Sequence, residues 1–205
     1  MPDSPFLYPI LDSMYSDDLL SDSYDAIRAG AQILQIRAKK LSKRSLFELV
    51  QTLLPVCIEN HVLLIVNDAV DVALLSGASG VHLGQEDFPV EACRKILVDK
   101  IIGYSTHNWK QWQAANRLPV DYVAIGPVYP SATKPQAGEA LGLSMVRDIC
   151  AQKRVPVVCI GGIRRRDFQD LIACGADGIA VISELYQHRN MHDAVSELLQ
   201  AVRNA

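Results

Sequence analysis

Eight short apolar runs alternate along the chain with amphipathic stretches, and this alternation restricts the fold more than any other feature. Short apolar runs bounded by turn residues are typical of buried strands. The predicted strands are residues 6–11, 32–38, 62–67, 80–83, 100–105, 122–127, 155–161 and 177–182. A strand that recurs after each helical stretch indicates parallel strands joined by crossover helices, so the sequence predicts an α/β fold.

The stretches between these strands have apolar residues at helical spacing. Ser42 stands where an N-cap is needed, and Pro89 stands at a favoured position in a first helical turn. The predicted helical stretches include residues 42–59, 88–97, 142–152, 165–176 and 191–202.

Eight strand–helix units within 205 residues predict a single-domain (β/α)8 barrel, a TIM barrel, over residues 1–205. No linker or low-complexity tract divides the sequence. An open doubly wound sheet is the alternative, and periodicity alone does not decide between the two folds. A barrel also requires functional residues to cluster after the C-terminal ends of its strands, and the polar residues described next do so.

Composition limits the classes of partner. A net charge of −3 argues against a general nucleic-acid binder, and no apolar run reaches the length of a membrane span. We therefore expect small-molecule substrates and no nucleic-acid or membrane partner; a homo-oligomer is possible. The cysteines form no C-x-x-C pair, which predicts buried reduced thiols and a cytoplasmic location. They are Cys57, Cys93, Cys150, Cys159 and Cys174.

Strand 2 ends in a run of polar residues that alternate with apolar ones. Gln35, Arg37 and Lys39 share one face of the strand, and Ile36 and Ala38 share the other, toward the helices. In a barrel, the first face brings an amide, a guanidinium and an ammonium group to the mouth. Arg37 could equally be a core arginine that is paired with a carboxylate.

Carboxylates follow the next two strands. Strand 3 ends in Asn67 and Asp68, and the loop after strand 4 contains Asp87. Two carboxylates and an amide without a histidine or cysteine cluster favour a hard cation such as Mg²⁺. The alternative is that the two aspartates cap the helices that follow them.

Residues 126–135, GPVYPSATKP, combine three prolines with hydroxyl and ammonium groups. Ser131, Thr133 and Lys134 are donors that phosphate oxygens accept, although a solvated turn is the simpler interpretation. Ser105 and Thr106 add hydroxyls after strand 5, whereas His82 and His107 lack metal-ligand spacing and are interpreted as structural.

Strand 7 ends in Gly161 and Gly162, and strand 8 ends in Ile182 and Ser183. In barrels of this type, the loops after strands 7 and 8 commonly bind phosphate through backbone N–H groups. The complete set therefore comprises a metal site, one arginine, two lysines and a separate phosphate pocket. It contains no enzyme nucleophile, and this combination suggests departure of a diphosphate.

Several motifs occur together in a characteristic order. They are LQIRAK, IVNDAVDVAL, GVHLGQED, IIGYSTH, YVAIGPVYPSATK, CIGGI and GADGIAVIS. From about residue 7 to residue 186, the sequence resembles the thiamine phosphate synthase family. The resemblance implies a barrel that joins hydroxymethylpyrimidine diphosphate to a phosphoethyl-thiazole, usually in its carboxylated form. It also implies a dissociative mechanism, in which diphosphate leaves before the thiazole nitrogen attacks the pyrimidine methylene cation.

The resemblance assigns roles to individual residues, and two positions depart from the family pattern. Ser131 stands where Thr is more common, and Ile182 stands where Val is. Arg37, Lys39, Ser105 and Lys134 are expected to be catalytic. Asp68 and Asp87 match the Mg²⁺ ligands. Pyrimidine diphosphate contacts are expected from Gln35, Ile36, Arg37, Ala38, Lys39, Asn67, Ser105 and Lys134. Thiazole phosphate contacts are expected from Ser131, Ala132, Thr133, Gly162, Ile182 and Ser183.

Two other functions are compatible with parts of this pattern. A thiazole tautomerase on a similar barrel would need the thiazole phosphate pocket without a complete diphosphate and Mg²⁺ set. A non-catalytic sensor of thiamine precursors would show no Mg²⁺-dependent turnover. The synthase interpretation is favoured because one chain retains Arg37, Lys39, Asn67, Asp68, Asp87 and Lys134.

Overall fold

Eight parallel strands form a closed barrel in a computed structural model that describes residues 1–130 and 139–205. Neighbouring strands pair in chain order, and the eighth strand pairs with the first to close the barrel. The barrel prediction is therefore confirmed, and the open-sheet alternative is wrong. The strands are β1 (Phe6–Asp12), β2 (Ile33–Arg37), β3 (Leu63–Asn67), β4 (Gly80–Leu83), β5 (Ile101–Thr106), β6 (Tyr122–Ile125), β7 (Val157–Cys159) and β8 (Gly178–Val181).

One α-helix follows each strand along the chain. Short 3-10 turns at Arg165–Asp167 and Leu185–Gln187 precede the last two helices. Within the described ranges, no helix is long and apolar enough to cross a membrane. The helices are α1 (Leu19–Arg28), α2 (Lys43–Glu59), α3 (Val70–Ser76), α4 (Val90–Ile96), α5 (Trp109–Ala115), α6 (Gly142–Cys150), α7 (Phe168–Ala173) and α8 (Met191–Arg203).

The ends of several helices and strands are set by side chains and backbone conformations at the boundary. The Ser42 hydroxyl accepts the Ser45 N–H at 3.1 Å and caps α2, as predicted. Pro89 is the N-cap of α4, one position before the first turn where it was expected. Strand β7 is shorter than predicted because Pro156 has no N–H for the ladder and Gly161 has a left-handed φ of 96°.

Two apolar cores lie on either side of the barrel wall. The larger core fills the layer between the strands and the surrounding helices. The smaller core fills the barrel interior with side chains from alternate strand positions. All five cysteines are free and buried, which confirms the thiol prediction. The interior side chains are Phe6, Tyr8, Ile10, Ile33, Ile65, Tyr122, Ala124, Val158 and Ala180.

Candidate active site at the mouth of the barrel

An ion pair joins the ends of the first two strands. Asp12 and Arg37 are register partners in β1 and β2, and their side chains form a salt bridge. The Asp12 carboxylate is fully buried, and it also accepts the Met14 N–H at 3.0 Å. Arg37 is therefore paired with a carboxylate, as the alternative interpretation predicted. A guanidinium has five N–H donors, so the pairing orients Arg37 and leaves donors for a ligand.

Sequence reasoning missed Asp12. An acidic residue at the end of strand 1 was the available signal, but its partner lies 25 positions away in the chain. Only the register of β1 against β2 brings the two side chains together.

The side chains of strand β2 divide as expected between the two faces. Gln35 is buried in the barrel interior, where its Nε2 donates to the Tyr8 hydroxyl at 2.9 Å. Ile36 and Ala38 are buried in the outer core among the helices. The Ile36 side chain is 0% exposed, so any contact with a substrate at this position would have to come from its main chain.

The two predicted metal ligands lie beside each other. The Asp68 and Asp87 carboxyl groups are close enough to interact, and Lys39 Nζ lies 3.4 Å from Asp68 Oδ2. The Asp87 carboxylate accepts the Gly84 N–H at 2.6 Å. Burial raises the pKa of Asp87 above its usual value, and the neighbouring Asp68 carboxylate raises it further, whereas Gly84 and Lys39 act in the opposite direction. Two carboxyl groups in contact favour a proton or a cation between them.

The capping alternatives for these aspartates are wrong. Helix α3 begins after Ala69 and helix α4 begins after Pro89, and neither helix has a side-chain cap hydrogen bond. Asp68 has a left-handed φ of 63°, an uncommon conformation that aspartate tolerates better than most residues.

The donor set at Asp68 and Asp87 fits a hard divalent cation. Magnesium is usually bound through one or two carboxylates together with waters and substrate phosphates. No third His, Cys, Asp or Glu completes a cluster with them within residues 1–130 and 139–205. Most of the coordination shell would therefore come from outside the protein, as magnesium prefers.

Hydroxyl and imidazole groups lie on the neighbouring strands β4, β5 and β6. Ser105 Oγ lies 2.7 Å from His82 Nε2, and His82 Nδ1 lies 2.8 Å from the Tyr122 hydroxyl. His107 Nδ1 lies 2.6 Å from the Gly126 carbonyl oxygen. Asn67 is the register partner of His82 across β3 and β4. His82 was interpreted as structural from the sequence, but in the fold it contacts Ser105, a predicted site residue.

The predicted phosphate end lies at β7 and β8. Gly162 has a left-handed φ of 68°, and a Cβ atom there would lie 2.6 Å from the Pro130 carbonyl oxygen. Ile182 and Ser183 are half-buried just after β8. The remaining predicted residues, Ser131, Ala132, Thr133 and Lys134, lie outside the described ranges. Between them, the described strand ends place the acidic pair, the cations and the glycine turn around one end of the barrel.

Comparison with known proteins identifies the family. The family model of thiamine monophosphate synthase matches residues 7–185. The chain is 36% identical over 189 residues to the thiamine-phosphate synthase of Shouchella clausii, which covers 92% of this chain and 90% of that protein. It is 37% identical to the thiamine-phosphate synthase of Persephonella marina, which covers 97% and 96%.

A solved structure gives the same result. The thiamine phosphate pyrophosphorylase from Pyrococcus furiosus superposes with a TM-score of 0.89 at 33% identity, over 97% of this chain and 96% of that one. Family model, sequence relatives and three-dimensional fold agree over nearly the whole length. The chain is an enzyme, a transferase, and it belongs to the thiamine monophosphate synthase family.

Proposed function

We propose that this enzyme transfers the pyrimidinylmethyl group of hydroxymethylpyrimidine diphosphate to the nitrogen of a phosphoethyl-thiazole and releases diphosphate. The observation that carries the proposal is the contact between Asp68 and Asp87 beside Lys39, at the same end of the barrel as Arg37. Acidic groups that can share a cation, together with the positive charges of Lys39 and Arg37, form a site that is suited to a departing diphosphate.

The proposed reaction breaks one C–O bond and forms one C–N bond. Diphosphate leaves the pyrimidine methylene carbon with the bonding electron pair, and the thiazole nitrogen then donates its lone pair to the resulting cation. No enzyme nucleophile is needed. The protein has to neutralise the leaving group, hold the two rings in line and exclude water from the cation.

Residues at the mouth divide these tasks. Arg37 is oriented by Asp12, and Lys39 and Lys134 would supply further positive charge to the leaving group. Mg²⁺ bound at Asp68 and Asp87 would neutralise negative charge on the diphosphate oxygens. Gln35, Asn67 and Ser105 would contact the pyrimidine substrate.

The second substrate would bind toward β7 and β8. The Gly162 N–H makes no hydrogen bond within the described ranges and lies in a left-handed turn, which favours an anion-binding backbone. Ile182 and Ser183 follow β8 at the same end, and Ser131 to Thr133 would complete the thiazole phosphate pocket.

Incubation of the purified enzyme with both substrates and Mg²⁺ tests the proposal. We expect thiamine phosphate and diphosphate to accumulate in equal amounts, and omission of either substrate to abolish both. Isomerisation of the thiazole phosphate without the pyrimidine would instead identify a tautomerase. Binding of either compound without any product would identify a sensor.

A further inference from the structure

A chain of hydrogen bonds crosses the barrel interior and connects Gln35 with Ser105. Gln35 Nε2 donates to the Tyr8 hydroxyl at 2.9 Å, and the Tyr8 and Tyr122 hydroxyls lie 2.9 Å apart. The Tyr122 hydroxyl lies 2.8 Å from His82 Nδ1, and His82 Nε2 lies 2.7 Å from Ser105 Oγ. Five side chains on five different strands therefore form one continuous polar path.

The middle of this path is shielded from water. Tyr8 is 1% exposed and Tyr122 is 0% exposed. Burial raises the pKa of both tyrosines far above the usual value, so each remains a neutral phenol with one proton to donate. The backbone is also adapted to the path, because a Cβ atom at Gly103 would lie 2.0 Å from Tyr122 Cζ. In a buried network, each hydroxyl proton needs an acceptor.

The hydrogen bonds can be assigned one consistent direction. The Gln35 amide nitrogen only donates, so Tyr8 accepts from it and gives its own proton to Tyr122. Tyr122 then donates to His82 Nδ1, and the neutral imidazole carries its proton on Nε2. In the opposite direction the Tyr8 proton would lack an acceptor, because Gln35 and Tyr122 are its only polar partners within residues 1–130 and 139–205.

The two ends of the path are then left with complementary free groups. Ser105 accepts from His82, so its own O–H proton remains available to the mouth. Gln35 uses its nitrogen on Tyr8, so its amide oxygen remains an acceptor. That oxygen makes no hydrogen bond within the described residues. It is nevertheless not fully buried, because among the described residues only Trp112 Nε1 is a fully buried side-chain polar atom without a partner.

We infer that Tyr8, Tyr122 and His82 are positioning residues that present Ser105 as a hydrogen-bond donor and Gln35 as an acceptor. This pair recognises a heteroaromatic ring that carries an N–H donor and a ring-nitrogen acceptor, as an aminopyrimidine does. The inference rests on the proposed function for the identity of the ring. The assignment of protons rests on the geometry of the barrel interior alone.

The proton assignment can be tested without measuring activity. Nitrogen-15 NMR of the histidine rings distinguishes an Nε2–H from an Nδ1–H tautomer. The chain has five histidines, and the His82 signals are those that change in Tyr122→Phe or disappear in His82→Gln. We expect the Nε2–H tautomer in the wild type. An Nδ1–H tautomer would overturn the inference, because the path would then run in the opposite direction and Gln35 would present its amino group.

A double-mutant cycle tests the functional part. Tyr122→Phe removes the donor to His82 and should lower kcat/KM for the pyrimidine diphosphate by about tenfold, the scale of one net hydrogen bond. The thiazole phosphate KM should not change. Ser105→Ala should lower kcat/KM for the pyrimidine diphosphate as well, and the double variant should be no worse than Ser105→Ala alone, because both changes remove the same donor.

Tyr24→Phe is a matched control, because it removes a tyrosine hydroxyl from helix α1 in the outer layer and should leave the kinetics unchanged. Effects of Tyr122→Phe and Ser105→Ala that multiply independently would overturn the inference. If the wild type forms no thiamine phosphate, the proposed function fails while the NMR measurement still decides the proton assignment.

Discussion

Gly162 and Gly142 have nearly the same left-handed backbone conformation, with φ of 68° and 69°, but their surroundings differ. A Cβ atom at Gly162 would lie 2.6 Å from the Pro130 carbonyl oxygen and 2.7 Å from that of Tyr129. Among the residues that the structure describes, a Cβ atom at Gly142 would meet nothing within 4 Å. Gly162 is therefore required by the loop that packs against it, before any phosphate binds. A bulky substitution there would disturb the loop itself as well as ligand binding.

These two glycines provide a matched pair of variants. Gly142→Ala should lower the free energy of unfolding by about 1 kcal/mol, the usual cost of a left-handed alanine. Gly162→Ala should cost roughly 2 kcal/mol more, because backbone atoms must also move. Denaturant unfolding without substrates measures both. Equal losses would show that the loop yields freely and that the role of Gly162 is confined to the ligand.

At the scale of elements, the loop after β6 is the segment that we propose contacts both substrates. Strand β6 ends at Ile125, and residues 126–135 follow it with three prolines. Val128 and Tyr129 donate backbone hydrogen bonds to Ile160 and Gly161, both at 3.0 Å, so the described part of the loop packs on the end of β7. Lys134, farther along, lies outside the described ranges.

We expect Lys134→Ala to lower both kcat and kcat/KM by roughly 10²–10³, because the lysine would stabilise negative charge that develops as diphosphate leaves. Thr133→Ala should mainly raise the thiazole phosphate KM. Steady-state kinetics with each substrate varied in turn measures both effects. Normal kinetics in correctly folded Lys134→Ala would show that Lys134 has no part in the reaction.

The elements could be predicted from the sequence better than the contacts between them. Period-2 and period-3.6 patterns are local, and residues 80–83 were predicted with the bounds that β4 has. Tyr8 and Tyr122 are separated by 114 positions and meet only because the barrel closes. Both lie in the barrel interior, and nothing local in the sequence identified them as partners. The same limit applies to Asp12 and Arg37.

For the molecule as a whole, the cysteines report on the integrity of the core. All five are free and buried, and burial raises the pKa of Cys57 and Cys150 to about 11. Reactive thiolate is therefore scarce in the folded protein near neutral pH. The thiols of Cys57 and Cys150 also hold their protons more tightly in the folded state than in the unfolded state, where thiols titrate near the ordinary value of 9.0.

Two results follow for the intact barrel. We expect a disulfide thiol reagent at pH 8 to leave the native thiols unmodified for far longer than those of the denatured chain. The contribution of Cys57 and Cys150 to stability should be complete below about pH 9 and should decline as the pH rises toward about 11. Rapid native modification at pH 8 would show that the helix layer opens readily.

The Mg²⁺ dependence of thiamine phosphate formation tests most directly whether the mouth of this barrel is the proposed site. Asn tolerates the left-handed conformation of residue 68, so Asp68→Asn removes the charge with little change of the backbone. Asp68→Asn and Asp87→Asn, made as separate variants, should each raise the Mg²⁺ concentration for half-maximal rate by about tenfold or more and lower the maximal rate. Glu86→Gln, an exposed neighbour in the same loop, should behave as the wild type. Titration curves for both aspartate variants that coincide with the wild-type curve would contradict the account.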